Sequence, residues 1–133
     1  MRNAFSKVIV VFISIFIIQC GSDEKAINKK LSQMAADLNV SAPVMLDQYT
    51  RFDFAEVDDD NVFRYNYTVL NSSNPDSLIQ IVSANLKENI KREFSTNPQL
   101  LFFKENNVRL EYVYKDEGNQ VVSLLHINPE DYQ

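Results

Sequence analysis

Four stretches of this chain repeat their apolar residues at every second position. They fall in two pairs, either side of one long stretch that repeats every three to four. From Leu46 to Val57, the residues Leu46, Thr50, Phe52 and Phe54 share one face, while Asp47, Tyr49, Arg51 and Asp53 share the other. From Val62 to Leu70, Phe63, Tyr65, Tyr67 and Val69 alternate with Arg64, Asn66 and Thr68. Asp58-Asp59-Asp60-Asn61 between them is turn material, which makes the first pair a hairpin. The second pair runs from Val108 to Lys115 and from Val121 to Ile127. It is joined at Asp116-Glu117-Gly118-Asn119, where the glycine is expected to take the positive φ.

Helical signals fill the remainder. Ile27, Leu31, Met34 and Leu38 recur at steps of four, three and four, which predicts a helix from about Asp23 to Leu38, stopped at Asn39 and closed off by Pro43. Asn74-Pro75-Asp76 is a helix start, with asparagine as cap and proline at the first turn. The stripe that follows is Leu78, Val82, Leu86 and Ile90, joined by Ile79 and Ile81. Thr96-Asn97-Pro98 interrupts it, and Gln99 to Phe103 predicts a further helical turn whose Leu100-Leu101-Phe102-Phe103 is core or an exposed patch. Pro129 closes the last strand, and Glu130 to Gln133 is expected to be loose. The order is α-β-β-α-(α)-β-β. Two hairpins with one apolar face each are expected to form one four-stranded antiparallel sheet with helices on one face, a two-layer α+β sandwich. With two glycines in 133 residues, no glycine-rich phosphate loop can be built.

In front of this unit stands Val8 to Ile18, apolar apart from Ser14, preceded by Arg2 and Lys7 and followed by Cys20, the only cysteine. A bilayer-spanning helix needs about 20 apolar residues, so this is an export signal of ordinary length. Ile17-Ile18-Gln19-Cys20 resembles the lipobox of bacterial lipoproteins, although Gln19 stands where that pattern has Gly, Ala or Ser. The resemblance implies cleavage after residue 19, acylation of Cys20 with palmitate-type chains, three in the mature form, and a membrane anchor. An ordinary signal peptide cut nearby and an uncleaved signal-anchor are the alternatives. The expected organisation is a signal over 1–19, lipidated Cys20 with a tether to residue 25, and one α+β domain over 26–133. The acidic start Cys20-Gly21-Ser22-Asp23-Glu24 looks like the signal by which Bacteroidetes-type bacteria send lipoproteins to the cell surface. This implies the outer membrane, with the leaflet left open. The run Pro43-x-x-x-Asp47-x-x-Thr50-Arg51, with Tyr65-x-Tyr67 and Tyr112-Val113-Tyr114-x-Asp116-x-Gly118, resembles small exported bacterial proteins to which no activity attaches.

Charge narrows the partners. The whole chain carries −5, and the export segment holds Arg2, Lys7 and no acid, so the remainder stands at −7. That excludes a basic nucleic-acid surface. One histidine, His126, and one cysteine give no zinc set and no thiol–imidazole pair, so no metal or cofactor is implied. Three consecutive aspartates at 58–60 point apart in a turn and do not make a calcium loop.

The candidate binding residues fall in two groups. Asp47, Tyr49, Arg51 and Asp53 on one strand face, with Arg64 and Asn66 beside them, form a charged surface open to a partner. Tyr65, Tyr67, Tyr112 and Tyr114 are expected beneath the helices, and Tyr65 and Tyr112 with His126 are the candidates for lining a pocket. The leading expectation is a non-enzymatic, lipid-anchored envelope module with a protein partner. The second is a small-molecule binder with a tyrosine-lined pocket between sheet and helices. An enzyme, third, would have His126, Asp47 and Asp53 as its only actors.

Overall fold

In the computed structural model, residues 23–133 are described; the export segment and the Cys20 lipidation site lie outside the described residues. A helix over 23–39, α1, leads into a five-stranded sheet: β1 (Val44–Met45), β2 (Thr50–Val57), β3 (Phe63–Val69), β4 (Leu110–Lys115) and β5 (Val121–Ile127). Between β3 and β4 run α2 (Pro75–Thr96), a 3-10 turn (Pro98–Leu100) and α3 (Leu101–Glu105), and α4 (Pro129–Tyr132) follows β5.

Spatial order follows chain order, β1-β2-β3-β4-β5. The expected α+β class with helices on one face holds, but the expected four antiparallel strands do not. β1 adds a fifth strand, pairing Val44 with Phe52, and β3 runs parallel to β4 with Phe63 beside Leu110. The reason is the length of the connection. Residues 70–109 carry two helices over one face, enough to bring the chain back to the starting end of β3. Two antiparallel units therefore meet along one parallel seam.

Cap chemistry follows the sequence closely. Asn74 Oδ1 accepts from Ser77 N at 3.2 Å, and Asn97 Oδ1 accepts from Gln99 N at 3.0 Å, ending α2 and starting the next turn. The positive φ angles fall on Asn61, Asn71, Asn107 and Asn119, each in a turn that borders a strand. Gly118 does not take one, contrary to expectation, because Asn119 carries the left-handed residue of the β4–β5 turn.

The core lies between sheet and helices. Leu31 and Ala35 of α1, Ile90 and Phe94 of α2 and Phe103 of α3 pack on Phe52, Ala55, Phe63, Leu110 and Ile127. Ile79 joins Val69 and Tyr114 in a smaller cluster, whereas Ile81 and Val82, expected in the buried stripe, are exposed. Two further expectations are overturned. A bulge between Phe52 and Phe54 puts Phe54 opposite Asn66 on the outer face, out of phase with Phe52. The terminal residues are not loose: Asn128 N donates to Asp131 Oδ2 at 2.9 Å, starting α4, and Tyr132 is buried against Phe94 with ring centroids 4.0 Å apart.

Candidate functional site

Asn97 turns the chain out of α2, so that residues 98–103 run back toward α1. Phe103 anchors this segment in the core, 5.0 Å from the Phe63 ring, which leaves Leu100 and Phe102 half-buried beside α1. Between them lies a cavity of about 570 Å³ with Met34, Leu38, Phe63, Tyr65, Leu100 and Phe102 on its walls. Lys30, Asp37 and Gln99 are its polar residues. A second cavity of about 200 Å³ also touches Tyr65 and Leu100 and reaches Leu86, Ile90 and Tyr112 beneath α2. The larger is in the size range of ligand sites, and its lining is largely apolar with a few polar groups, the composition such sites have.

Tyr65, on the floor of this groove with Phe63, belongs to a ladder of tyrosines across the parallel seam. Tyr65 stacks on Tyr112 at 4.9 Å, Tyr67 lies 6.2 Å from Tyr112, and Tyr67 stacks on Tyr114 at 5.0 Å. All four face the helices, as the alternation required. Burial drives the hydroxyls of Tyr65, Tyr67 and Tyr112 well above the ordinary phenol range and pushes Tyr114 up to about 12. They are neutral phenols at physiological pH, able to donate or accept one hydrogen bond each. The largely apolar lining of the groove suits an apolar group, with Lys30, Asp37 and Gln99 available for polar contacts.

The other predicted site residues are spread over separate places. On the outer face, Arg51 Nε donates to Asp53 Oδ1 at 2.6 Å, and the Thr68 hydroxyl donates to Asp53 Oδ2 at 2.5 Å. Arg64 donates to Glu111 at 2.6 Å and to Glu56 at 2.9 Å, with Asp58 at 3.6 Å, and these hydrogen bonds raise its pKa further. His126 Nδ1 lies 3.5 Å from Glu111 Oε1 on an exposed side chain. Arg64 and His126 thus meet at Glu111, apart from the tyrosines, so the pocket does not combine Tyr65 and Tyr112 with His126. Asp47 and Tyr49 are in the turn before β2 and not on a strand face. The Asp47 carboxylate accepts from Tyr49 N and Thr50 N at 2.7 and 2.8 Å. Asp58 likewise organises its turn by accepting from Asp60 N and Val62 N, and no metal-holding group of acids, histidine or cysteine occurs among the described residues.

Alternation along β3 turns Tyr65 toward the helices, but the walls of the groove are not legible in the sequence. Leu100 and Phe102 stood in a run too apolar for a solvent loop, but nothing local showed that they would face Met34 and Leu38.

In comparison with known structures, the fold matches a Pseudomonas aeruginosa protein described as secreted (TM-score 0.69, 13% identity, 83% of this chain and 96% of that one). It also matches the pilotin EpsS of the Vibrio vulnificus type 2 secretion system (TM-score 0.59, 9% identity, 85% and 97% covered). A third match is the type II secretion system pilotin AspS of Vibrio cholerae (TM-score 0.61, 10% identity, 84% and 97% covered). At these identities the likeness is one of fold. No curated protein matches in sequence. A family profile matches residues 26–124, which covers α1 through most of β5, and the chain belongs to that family, described as Domain of unknown function (DUF8479).

Proposed function

We propose that this protein is an exported, lipid-anchored interaction module of the bacterial envelope, non-enzymatic and pilotin-like, that receives an apolar segment of an envelope protein in the groove between α1 and residues 98–103. The observation that carries the reading is the groove itself. Its walls are Met34, Leu38, Leu100 and Phe102 over a Tyr65 floor, on a fold shared with two secretion-system pilotins. No helix among the described residues is long and apolar enough to cross a membrane. Attachment in this reading rests on acylated Cys20 after removal of residues 1–19, and the outer membrane is the proposed location, with residues 20–25 as tether and 26–133 as the domain.

The test is site-specific photo-crosslinking from residues 38 and 102 of the full chain in its own membranes. Leu38→Glu, on a wall that is already 41% exposed, should abolish the adduct without lowering the melting temperature. An adduct that survives the substitution would sink the reading. Cys20→Ala should abolish palmitate labelling and release the protein from membranes. The second reading, a small apolar ligand over Tyr65 and Tyr112, is favoured by the adjoining 200 Å³ cavity. It predicts a bound small molecule in native mass spectra and no protein adduct.

A further inference from the structure

The groove between α1 and residues 98–103 carries opposite charges along its α1 wall. Lys30 and Asp37 are the charged residues among those that line it, and both are exposed. They stand seven residues apart, so the helical rise separates them by about 10 Å and they cannot neutralise each other. Arg51, Arg64 and Lys87 are each paired with an acid, whereas Lys30 and Asp37 enter no ion pair among the described residues. Three and four residues from Lys30 stand Ala26, Ile27, Gln33 and Met34, with no acid. The same spacing from Asp37 reaches Gln33, Met34, Val40 and Ser41, with no base. Asp37 also sits in the last turn of α1, the negative end of the helix dipole, where an acid is disfavoured. A cation brought against it is favoured by the carboxylate and by the helix end together.

The backbone around the groove decides what conformation can enter. Phe63 and Tyr65 on the floor belong to β3, whose main chain is paired on both sides, to β2 and to β4. The walls are helical, α1 on one side and residues 98–105 on the other. The groove therefore presents no open strand edge. An extended segment lying in it would bury main-chain amides without partners, whereas a helix pairs its own.

We propose that the groove takes one amphipathic helix of an envelope protein, with an acidic residue against Lys30 and a basic residue against Asp37, about seven residues apart on that helix. Its apolar stripe meets Met34, Leu38, Leu100 and Phe102. The occupant's conformation and charge pattern rest on the docking role given to the groove above. Meeting both charges at once requires the incoming helix to run nearly along α1, since a steep crossing would reach only one of them.

The test measures the affinity of the full chain for three blocked, alanine-based helical peptides that share one leucine stripe. Two positions seven apart beside the stripe carry glutamate and lysine in the first peptide, lysine twice in the second and glutamate twice in the third. The mixed peptide should bind about fivefold more tightly than either of the others at low salt, and added salt should shrink the difference. Lys30→Glu should transfer the preference to the two-lysine peptide, and Asp37→Lys to the two-glutamate peptide, each at an unchanged melting temperature. Proline in the middle of the mixed peptide should abolish binding, and Leu38→Glu should weaken all three. Equal affinity for the three peptides, or an unchanged preference in both charge variants, would overturn the charge pattern and leave the groove reading standing. Full binding of the proline peptide would overturn the helix. No binding of any peptide at millimolar concentration would overturn the whole proposal, and the adduct from residue 102 then decides whether the groove reading falls with it.

Discussion

Replacing Asn39 by alanine removes both hydrogen bonds that close the β2 edge at Ala55, one donated and one accepted, at 2.9 and 2.7 Å. Each is worth about 0.5–1.5 kcal/mol net, so the pair contributes about 1–3 kcal/mol. Alanine returns about 0.5 kcal/mol through better helix propensity at the last residue of α1. The expected loss is therefore about 0.5–2.5 kcal/mol, read as a lower urea midpoint at unchanged slope. Asn39→Asp separates the two halves. Its carboxylate still accepts from Ala55 N but faces the Ala55 carbonyl with no donor, so it should cost at least as much as alanine. Amide exchange localises the effect: Ala55 N–H should lose protection while Phe63 N–H, bonded to Arg109 O at 2.9 Å, keeps it. A midpoint within about 0.3 kcal/mol of the parent, with Ala55 still protected, would refute the edge-clamp argument.

Tyr132→Phe should cost about 1–2 kcal/mol in urea unfolding, because its hydroxyl donates to Val108 O at 2.7 Å and lies 3.3 Å from Phe103 O, both in the core. The tyrosine contribution to stability should be flat below the ordinary tyrosine range and fall as pH rises through 10 and beyond. Burial raises the folded pKa of Tyr65, Tyr67, Tyr112, Tyr114 and Tyr132, the last two to about 12, so unfolding releases phenol protons there. The slope should reach about 1.4 kcal/mol per pH unit for each tyrosine that ionises only on unfolding, measured by urea midpoints against pH. Arg64→Met should destabilise at low salt by leaving Glu56, Asp58 and Glu111 facing one another, and added salt should recover part of the loss.

Much of this architecture was legible in the residues, and the failures share a cause. Period two in Phe63-Tyr65-Tyr67 and in Leu110-Tyr112-Tyr114 put the tyrosines on the helix side, because local alternation alone decides which face a strand residue takes. The same rule failed at Asp53, where one inserted residue reverses the phase and turns Phe54 outward. Parallel pairing of β3 with β4 is not written in either strand, since it depends on how a 40-residue connection folds back. The Asn39 clamp was read only as a helix stop, because its partner Ala55 is 16 residues away. Asn128-Pro129 with Asp131 was a readable helix start that was passed over in favour of a loose end. The groove combined both situations: its floor followed from alternation, and its walls from contacts between segments more than 60 residues apart.

The parallel seam has a kinetic consequence. Each antiparallel unit can form from near neighbours, but Tyr65 meets Tyr112 only after a long loop has closed, and that entropy must be spent before any stacking is gained. Joining the two units is thus the expected slow step of folding. The chain has no tryptophan, and its stacked tyrosines lie at that junction, so tyrosine emission followed in a stopped-flow experiment would report the moment the two halves become one sheet.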